Sequence, residues 1–269
     1  MVDILKVQEV VREAAKLFSN REASGQIKQK GDFDYVTAVD EAVQEYMKME
    51  LGKLYPEIQF IGEESDNSEV DWNGAAWVLD PVDGTTNLIH DYQNSAISLA
   101  LMEKKELLLG VVYNPFVEEM YYAEKGKGSF LNGKRIFVSE AKKMKESLIS
   151  VGTSPYYKNE ADEIFKTFAK IYKDCQDLRR CGSAALDMAH VACGRIEAYT
   201  EKHLKIWDYA AATLLVREAG GTVIDYAGND LLMEPMGNVI AGNSYIPEIL
   251  AEKYLKEELE IVYFLPYLS

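Results

Sequence analysis

Only three cysteines and three histidines occur among the 269 residues of this chain. Cys175, Cys181 and Cys193 are odd in number and have no closely spaced partner, which excludes a thiolate zinc site and a disulfide framework. They read as reduced thiols, the state expected inside a cell. His90, His190 and His203 are scattered without ligand spacing, so each is expected to be structural or at the surface. Basic residues are also in deficit: 29 Lys and Arg stand against 44 Asp and Glu, a formal net charge of −15. Such a surface lacks the clustered cations that direct nucleic-acid binding requires. No run of 18 apolar residues is present, so no membrane span is expected. Met1 to Lys6 shows no basic region leading into an apolar core, and a cytoplasmic location is expected. No linker rich in Pro, Gly or Ser interrupts the chain, and no internal repeat is visible.

What is present is an ordered series of periodic segments. Ile4, Val7, Val11, Ala14 and Phe18 recur at three- and four-residue steps, predicting a helix within 3–23. Residues 34–37 are extended in character, and a helix opened by Asp40 stops before Pro56. A short strand at 58–61 leads into Gly62-Glu63-Glu64, and a buried strand at 75–79 leads into Asp80. Strands around 95–102, 107–113, 118–123, 128–131 and 135–138, joined by short turns, predict an antiparallel sheet. Beyond residue 145 the pattern alternates. A strand at 147–152 precedes helices at 159–173, 183–193 and 208–219, and Gly220-Gly221 stops the last of these. Strands near 222–225 and 238–241 and a helix from about 247 complete an α/β half. The expected organisation is an α+β half over 1–144 and an α/β half over 145–269, packed tightly as one unit.

The densest chemistry lies in Asp80-Pro81-Val82-Asp83-Gly84-Thr85-Thr86-Asn87. Two carboxylates on a turn that Pro81 stiffens and Gly84 opens suit a hard divalent cation such as Mg²⁺ beside a phosphate. Two other acidic motifs fail here. Counted from Asp80, an EF-hand would need its Gly at Thr85 and its Glu at Asp91. An aspartyl-phosphate enzyme would carry Asp-x-Asp, but the residue two before Asp83 is Pro81. Water is therefore the expected nucleophile. Gly128 to Arg135 nearly spells a nucleotide-binding P-loop, yet Arg135 stands where Ser or Thr must be. Asn132-Gly133 reads instead as a hairpin turn.

Gly62-Glu63-Glu64, the Asp80–Asn87 octapeptide, and Trp207-Asp208 followed by Glu218-Ala219-Gly220-Gly221 together resemble the inositol monophosphatase family, part of the lithium-sensitive, Mg²⁺-dependent phosphatase superfamily. The resemblance runs from about residue 5 to 255. It implies a layered α-β-α-β-α sandwich, with an antiparallel sheet in the first half and a mixed sheet in the second. Glu63, Asp80, Asp83 and Asp208, with the Val82 carbonyl, would hold two or three Mg²⁺ ions. Thr85, polarised by Asp40, would orient the attacking water, with Glu63 assisting and Glu64 supporting. Backbone groups of Gly84, Thr85 and Thr86 would receive the phosphate, beside Asp83. Gly182, Ser183, Ala184, Glu201 and Asp208 would meet the alcohol.

The implied activity is in-line hydrolysis of inositol monophosphate or a related polyol or sugar phosphate without a covalent intermediate, in a homodimer. Thr86-Asn87 suits the inositol type better than the nucleotide type; hydrolysis of fructose 1,6-bisphosphate or of 3′-phosphoadenosine 5′-phosphate remains an alternative. A regulatory protein binding the transcription machinery is the alternative of another class. Ala212 stands where many relatives have Gly. Lys28 and Lys30 compete for one family position near the metals, and Arg179-Arg180 is expected to face solvent or an interface.

Overall fold

The computed structural model describes residues 2–31 and 34–256. Its first helix, α1 (Ile4–Ala14), is capped by the Asp3 carboxylate, which accepts the Leu5 amide at 3.0 Å. The predicted helix does not run on to residue 23. A 3₁₀ turn at Ala15–Ser19 leads to Asn20, whose side chain caps a new short helix, α2 (Arg21–Ser24), through the Ala23 amide. A polar side chain competing for backbone donors is the physical reason for the break. A small antiparallel hairpin, β1 (Ile27–Gly31) and β2 (Asp34–Thr37), then delivers α3 (Ala38–Leu54).

The next seven strands form one sheet in sequence order. They are β3 (Gln59–Gly62), β4 (Ala75–Asp83), β5 (Ala96–Glu103), β6 (Glu106–Asn114), β7 (Glu119–Glu124), β8 (Gly128–Leu131) and β9 (Lys134–Ile136). All pairs are antiparallel except β3 with β4. A short helix, α4 (Thr85–Ile89), fills the connection from β4 to β5.

A second sheet of five strands has the order β11-β10-β12-β14-β13. It is built from β10 (Leu148–Val151), β11 (Asp177–Arg179), β12 (Ala198–Lys205), β13 (Thr222–Ile224) and β14 (Met236–Gly242). Pairing is parallel on the β10 side and antiparallel around β14, so this sheet is mixed. Its helices are α5 (Ala161–Asp174), α6 (Ala184–Ala192), α7 (Ile206–Glu218) and α8 (Ile246–Leu250), which continues as a π turn to Leu255.

The alternation along each strand sorts the residues into layers. On β4, Trp77 and Leu79 join α1 and α3 in an outer core, whereas Ala76 and Val78 face α6 and α7 in a central one. A third core packs α5 and α8 on the far side of the second sheet, through residues such as Ile149, Ile171, Ile240 and Leu250. The result is the α-β-α-β-α sandwich, with α6 and α7 between the sheets. Small residues make this centre possible. A Cβ on Gly110 of β6 would lie 2.5 Å from the Ala211 carbonyl oxygen, so α7 rests almost directly on the sheet backbone.

Candidate active site

The acidic pair of the octapeptide is held inside β4 itself. The strand continues through Asp83, with a register irregularity between Asp80 and Asp83 where it pairs β5. Such a bulge re-aims side chains at a strand end. Asp80 and Asp83 are both buried. The Asp80 Oδ1 accepts the Val82 amide at 2.9 Å, which closes the Pro81 turn. Gly84 follows at φ +92°, and a Cβ there would sit 3.0 Å from the Gly182 carbonyl oxygen. Asn87 locks this approach, its amide donating to the carbonyls of Asn94 at 2.7 Å and Cys181 at 2.9 Å.

Thr85 opens α4 and donates its hydroxyl to Asp40 Oδ1 at 3.0 Å, with the Val82 carbonyl 3.1 Å away as a second acceptor. Asp40 is buried and is positioned by a capping box at the start of α3. Its Oδ2 accepts the Thr37 amide at 2.9 Å and the Thr37 hydroxyl at 2.5 Å. Burial pushes the Asp40 carboxyl up, and the donors from Thr37 and Thr85 oppose that rise. The residue pair expected from sequence is thus in direct contact, 45 positions apart.

Asp83 reaches across to the second half. Its Oδ2 accepts the Ser183 hydroxyl at 2.5 Å and the Ala185 amide at 2.7 Å, and its Oδ1 the Ala184 amide at 3.3 Å. These groups open α6, so the acid completes that helix's N-terminus. Ser183 also accepts the Leu186 amide at 3.3 Å. Its hydroxyl is committed to Asp83 and to the cap. Asp208 sits at the third position of α7, where its Oδ2 accepts the Lys205 amide at 2.7 Å. It therefore caps the helix and borders the cavity at once.

One cavity of about 790 Å³ is lined by Glu63, Asp80, Val82, Asp83, Gly84, Thr85, Thr86, Gly182, Ser183, Ala184, Glu201 and Asp208. These are all the expected metal and substrate residues. Asp40 stands behind Thr85, outside the lining, and so does Glu64, whose amide donates to Gln44 Oε1 at 3.0 Å. Glu201 is fixed by the Ser154 amide at 2.7 Å and by the Tyr199 hydroxyl. Lys28 pairs with Glu41 at the surface, and the Lys30 side chain lies outside the described residues.

The cavity also has walls that sequence reasoning missed. Thr153 to Lys158, Phe165, Arg180, Asp187, Lys202 and His203 line it as well. Arg180 is exposed, as expected, and also lines the cavity, donating to Thr153 Oγ1 at 3.0 Å, whereas Arg179 pairs with Asp177 at the surface. His203, expected to be bland, stacks on Tyr157 at 3.9 Å and hydrogen-bonds Glu160. His90 is exposed, and His190 is mostly buried edge-on to Tyr121, where loss of solvent lowers its pKa.

Electrostatics set the chemistry. Burial, followed by the charges of Glu63, Asp83, Asp208 and Asp40, drives the Asp80 carboxyl well above the usual range. Asp208 rises likewise through loss of solvent and then through Asp83 and Glu63. Burial lifts Asp83 to about 6 despite its three donors. Among the described residues, no three Asp, Glu, His or Cys side chains close around a single point. The donor set nevertheless fits a hard cation: four oxygen-bearing acids face one cavity, and the charges of Glu63 and Asp83 oppose the ionisation of both Asp80 and Asp208. A bound cation removes that penalty.

The sequence profile of the inositol monophosphatase family matches residues 2–262. An inositol monophosphatase of Dictyostelium discoideum is 38% identical over 260 residues, covering 95% of this chain and 94% of the relative. The Nus factor SuhB of Escherichia coli K12 is 38% identical over 231 residues, covering 86% of each chain. Among solved structures, the SuhB protein of Bartonella henselae superposes with a TM-score of 0.86 at 33% identity, covering 94% of this chain and 98% of that one. An inositol monophosphate-bound IMPase-II from Staphylococcus aureus gives a TM-score of 0.82 at 25% identity, covering 96% of this chain and 95% of its own.

Proposed function

We propose, since the chain belongs to the inositol monophosphatase family, that it is a Mg²⁺-dependent phosphomonoesterase acting on inositol monophosphate or a related polyol or sugar phosphate. The observation that carries this reading is one cavity lined by the four acids and Glu201, with the Thr85–Asp40 contact beside it. Glu63, Asp80, Asp83 and Asp208, with the Val82 carbonyl, would hold two or three ions. Bound there, Mg²⁺ would make a water nucleophilic near neutral pH and stabilise charge on the phosphoryl oxygens.

The rest is work for the chain. Thr85 Oγ1 commits its proton to Asp40, so its lone pair is left to accept from the attacking water and aim it. Asp40 holds the Thr85 rotamer and is the group toward which the proton drifts. Amides at the opening of α4 have no intrahelical acceptor and would receive phosphate oxygens. Glu201, Gly182 and Ala184, which line the same cavity, would meet the hydroxyls of the departing alcohol. Attack would be in line, without a covalent intermediate.

Phosphate release from a panel of inositol, sugar, bisphosphate and nucleotide esters, with Mg²⁺, with chelator and with Li⁺, tests this. Mg²⁺-dependent release from a polyol or sugar ester is expected, and silence across the panel would sink the reading. The relative named a Nus factor favours a second reading, binding to the transcription machinery. Capture of transcription components by an Asp83→Asn variant that no longer hydrolyses would support it. The family also leads us to expect a two-fold dimer, which light scattering would check.

A further inference from the structure

Asp187 has no part in the chemistry above, yet it is the odd residue of α6. It follows Ala184-Ala185-Leu186 and precedes Met188-Ala189, which all belong to the central core, and it is 2% exposed. A carboxyl in such a place is costly unless its oxygens are satisfied. Its Oδ1 has no hydrogen-bond partner. The residue nonetheless lines the cavity, on the wall shared with Glu201 and Tyr199. Native interiors rarely leave such an atom orphaned, and those that do often mark a function.

The surroundings narrow what could satisfy it. Asp83 and Glu201 both act on it electrostatically, and the Ser150 hydroxyl and Cys181 thiol flank it. An anionic group would be repelled by three acids. The Ser150 hydroxyl and Cys181 thiol both hydrogen-bond the carboxylate, which leaves Oδ1 as the oxygen still without a donor, and a neutral hydroxyl supplies one without adding charge. Glu201 is already held by the Ser154 amide and the Tyr199 hydroxyl, so it can share a ligand hydroxyl but cannot swing to replace Asp187. Sequence could have flagged the residue, as the lone acid on an alanine-rich helix face.

We infer that Asp187 is a specificity residue which, together with Glu201, accepts a hydroxyl of the departing alcohol, favouring phosphate monoesters whose alcohol bears a further hydroxyl. This rests on the phosphomonoesterase reading and deepens it. The test compares myo-inositol 1-phosphate and glycerol 2-phosphate with 4-nitrophenyl phosphate, whose leaving group has no second hydroxyl, in the intact protein with Mg²⁺. Asp187→Asn, with Asp187→Ser as a smaller second variant, should raise KM for the two polyol esters about tenfold, equivalent to ~1.4 kcal/mol. KM for the nitrophenyl ester and kcat for all three should stay within about twofold. Equal losses on every ester would place Asp187 in the support of Asp83 or of the fold, and no change on any would remove it from the site; either result overturns the assignment. A parent protein that hydrolyses none of the three overturns instead the phosphatase reading beneath it.

Discussion

Thr85 has one hydroxyl proton and two acceptors within reach, Asp40 Oδ1 and the Val82 carbonyl. If it orients the nucleophile through its remaining lone pair, the hydroxyl is the essential group and the methyl is not. Thr85→Ser should therefore keep kcat within a few-fold, whereas Thr85→Ala should lose ~10²-fold or more, in the range of a positioned proton-handling group. Steady-state phosphate release distinguishes them, and equal loss in both variants would contradict the role. The buried acids make a second prediction. Asp83 and Asp187 rise to about 6 and about 7 on folding, while an unfolded aspartate titrates near 3.8. Between those values the folded chain keeps protons that the unfolded chain has released. This contribution to stability is full below pH ~4 and is lost as pH rises through 6 and 7, and Asp80 and Asp208 extend the loss upward. In chelator, Tm by calorimetry should fall from pH 5 to pH 8, and Mg²⁺ should raise it more at pH 8. A rising or flat Tm in chelator would refute this.

At the level of elements, β12 explains both what the sequence concealed and how the site is built. Its residues, Ala198-Tyr199-Thr200-Glu201-Lys202-His203-Leu204-Lys205, have four charged or imidazole groups and no apolar alternation, so nothing marks them as a central strand. They pair with β10 and β14 nonetheless, with a register irregularity between Glu201 and Leu204 where His203 adopts φ +58°. The polarity is there because the strand serves the cavity, so a functional demand overrode the strand signal. The antiparallel strands β5 to β8 carried no such demand and were legible from alternation and turns. The acids of the octapeptide were legible because they are contiguous. The walls contributed by Tyr157, Arg180 and Asp187 were not, because only the folded chain brings them together. Gly152 shows how tightly β12 is fitted: a Cβ there would fall 1.9 Å from the Glu201 carboxyl. Gly152→Ala should displace Glu201, raising KM for polyol esters with a smaller effect on kcat. An unchanged KM would mean that Glu201 does not touch the alcohol.

For the molecule as a whole, the site belongs to neither of the two larger sheets alone. Asp83 from the first sheet completes α6, Ser98 of β5 donates to the Trp207 carbonyl at the start of α7, and both helices fill the space between the sheets. A fragment ending at residue 144 would keep its strands but expose the face formed by Ala76, Val78, Ala100 and Met102. We expect such a fragment to aggregate or to lack cooperative unfolding, as judged by calorimetry and light scattering, and a soluble, cooperatively melting fragment would disprove it. The position of α6 and α7 also bears on how the protein is made. A ribosome releases every strand of the seven-stranded sheet, complete at Ile136, before either helix that covers its inner face. For the time needed to translate about eighty further residues at ~5–20 per second, the growing chain holds out a bare alanine-lined surface. In that interval holdase chaperones, rather than the chain's own helices, are its natural cover.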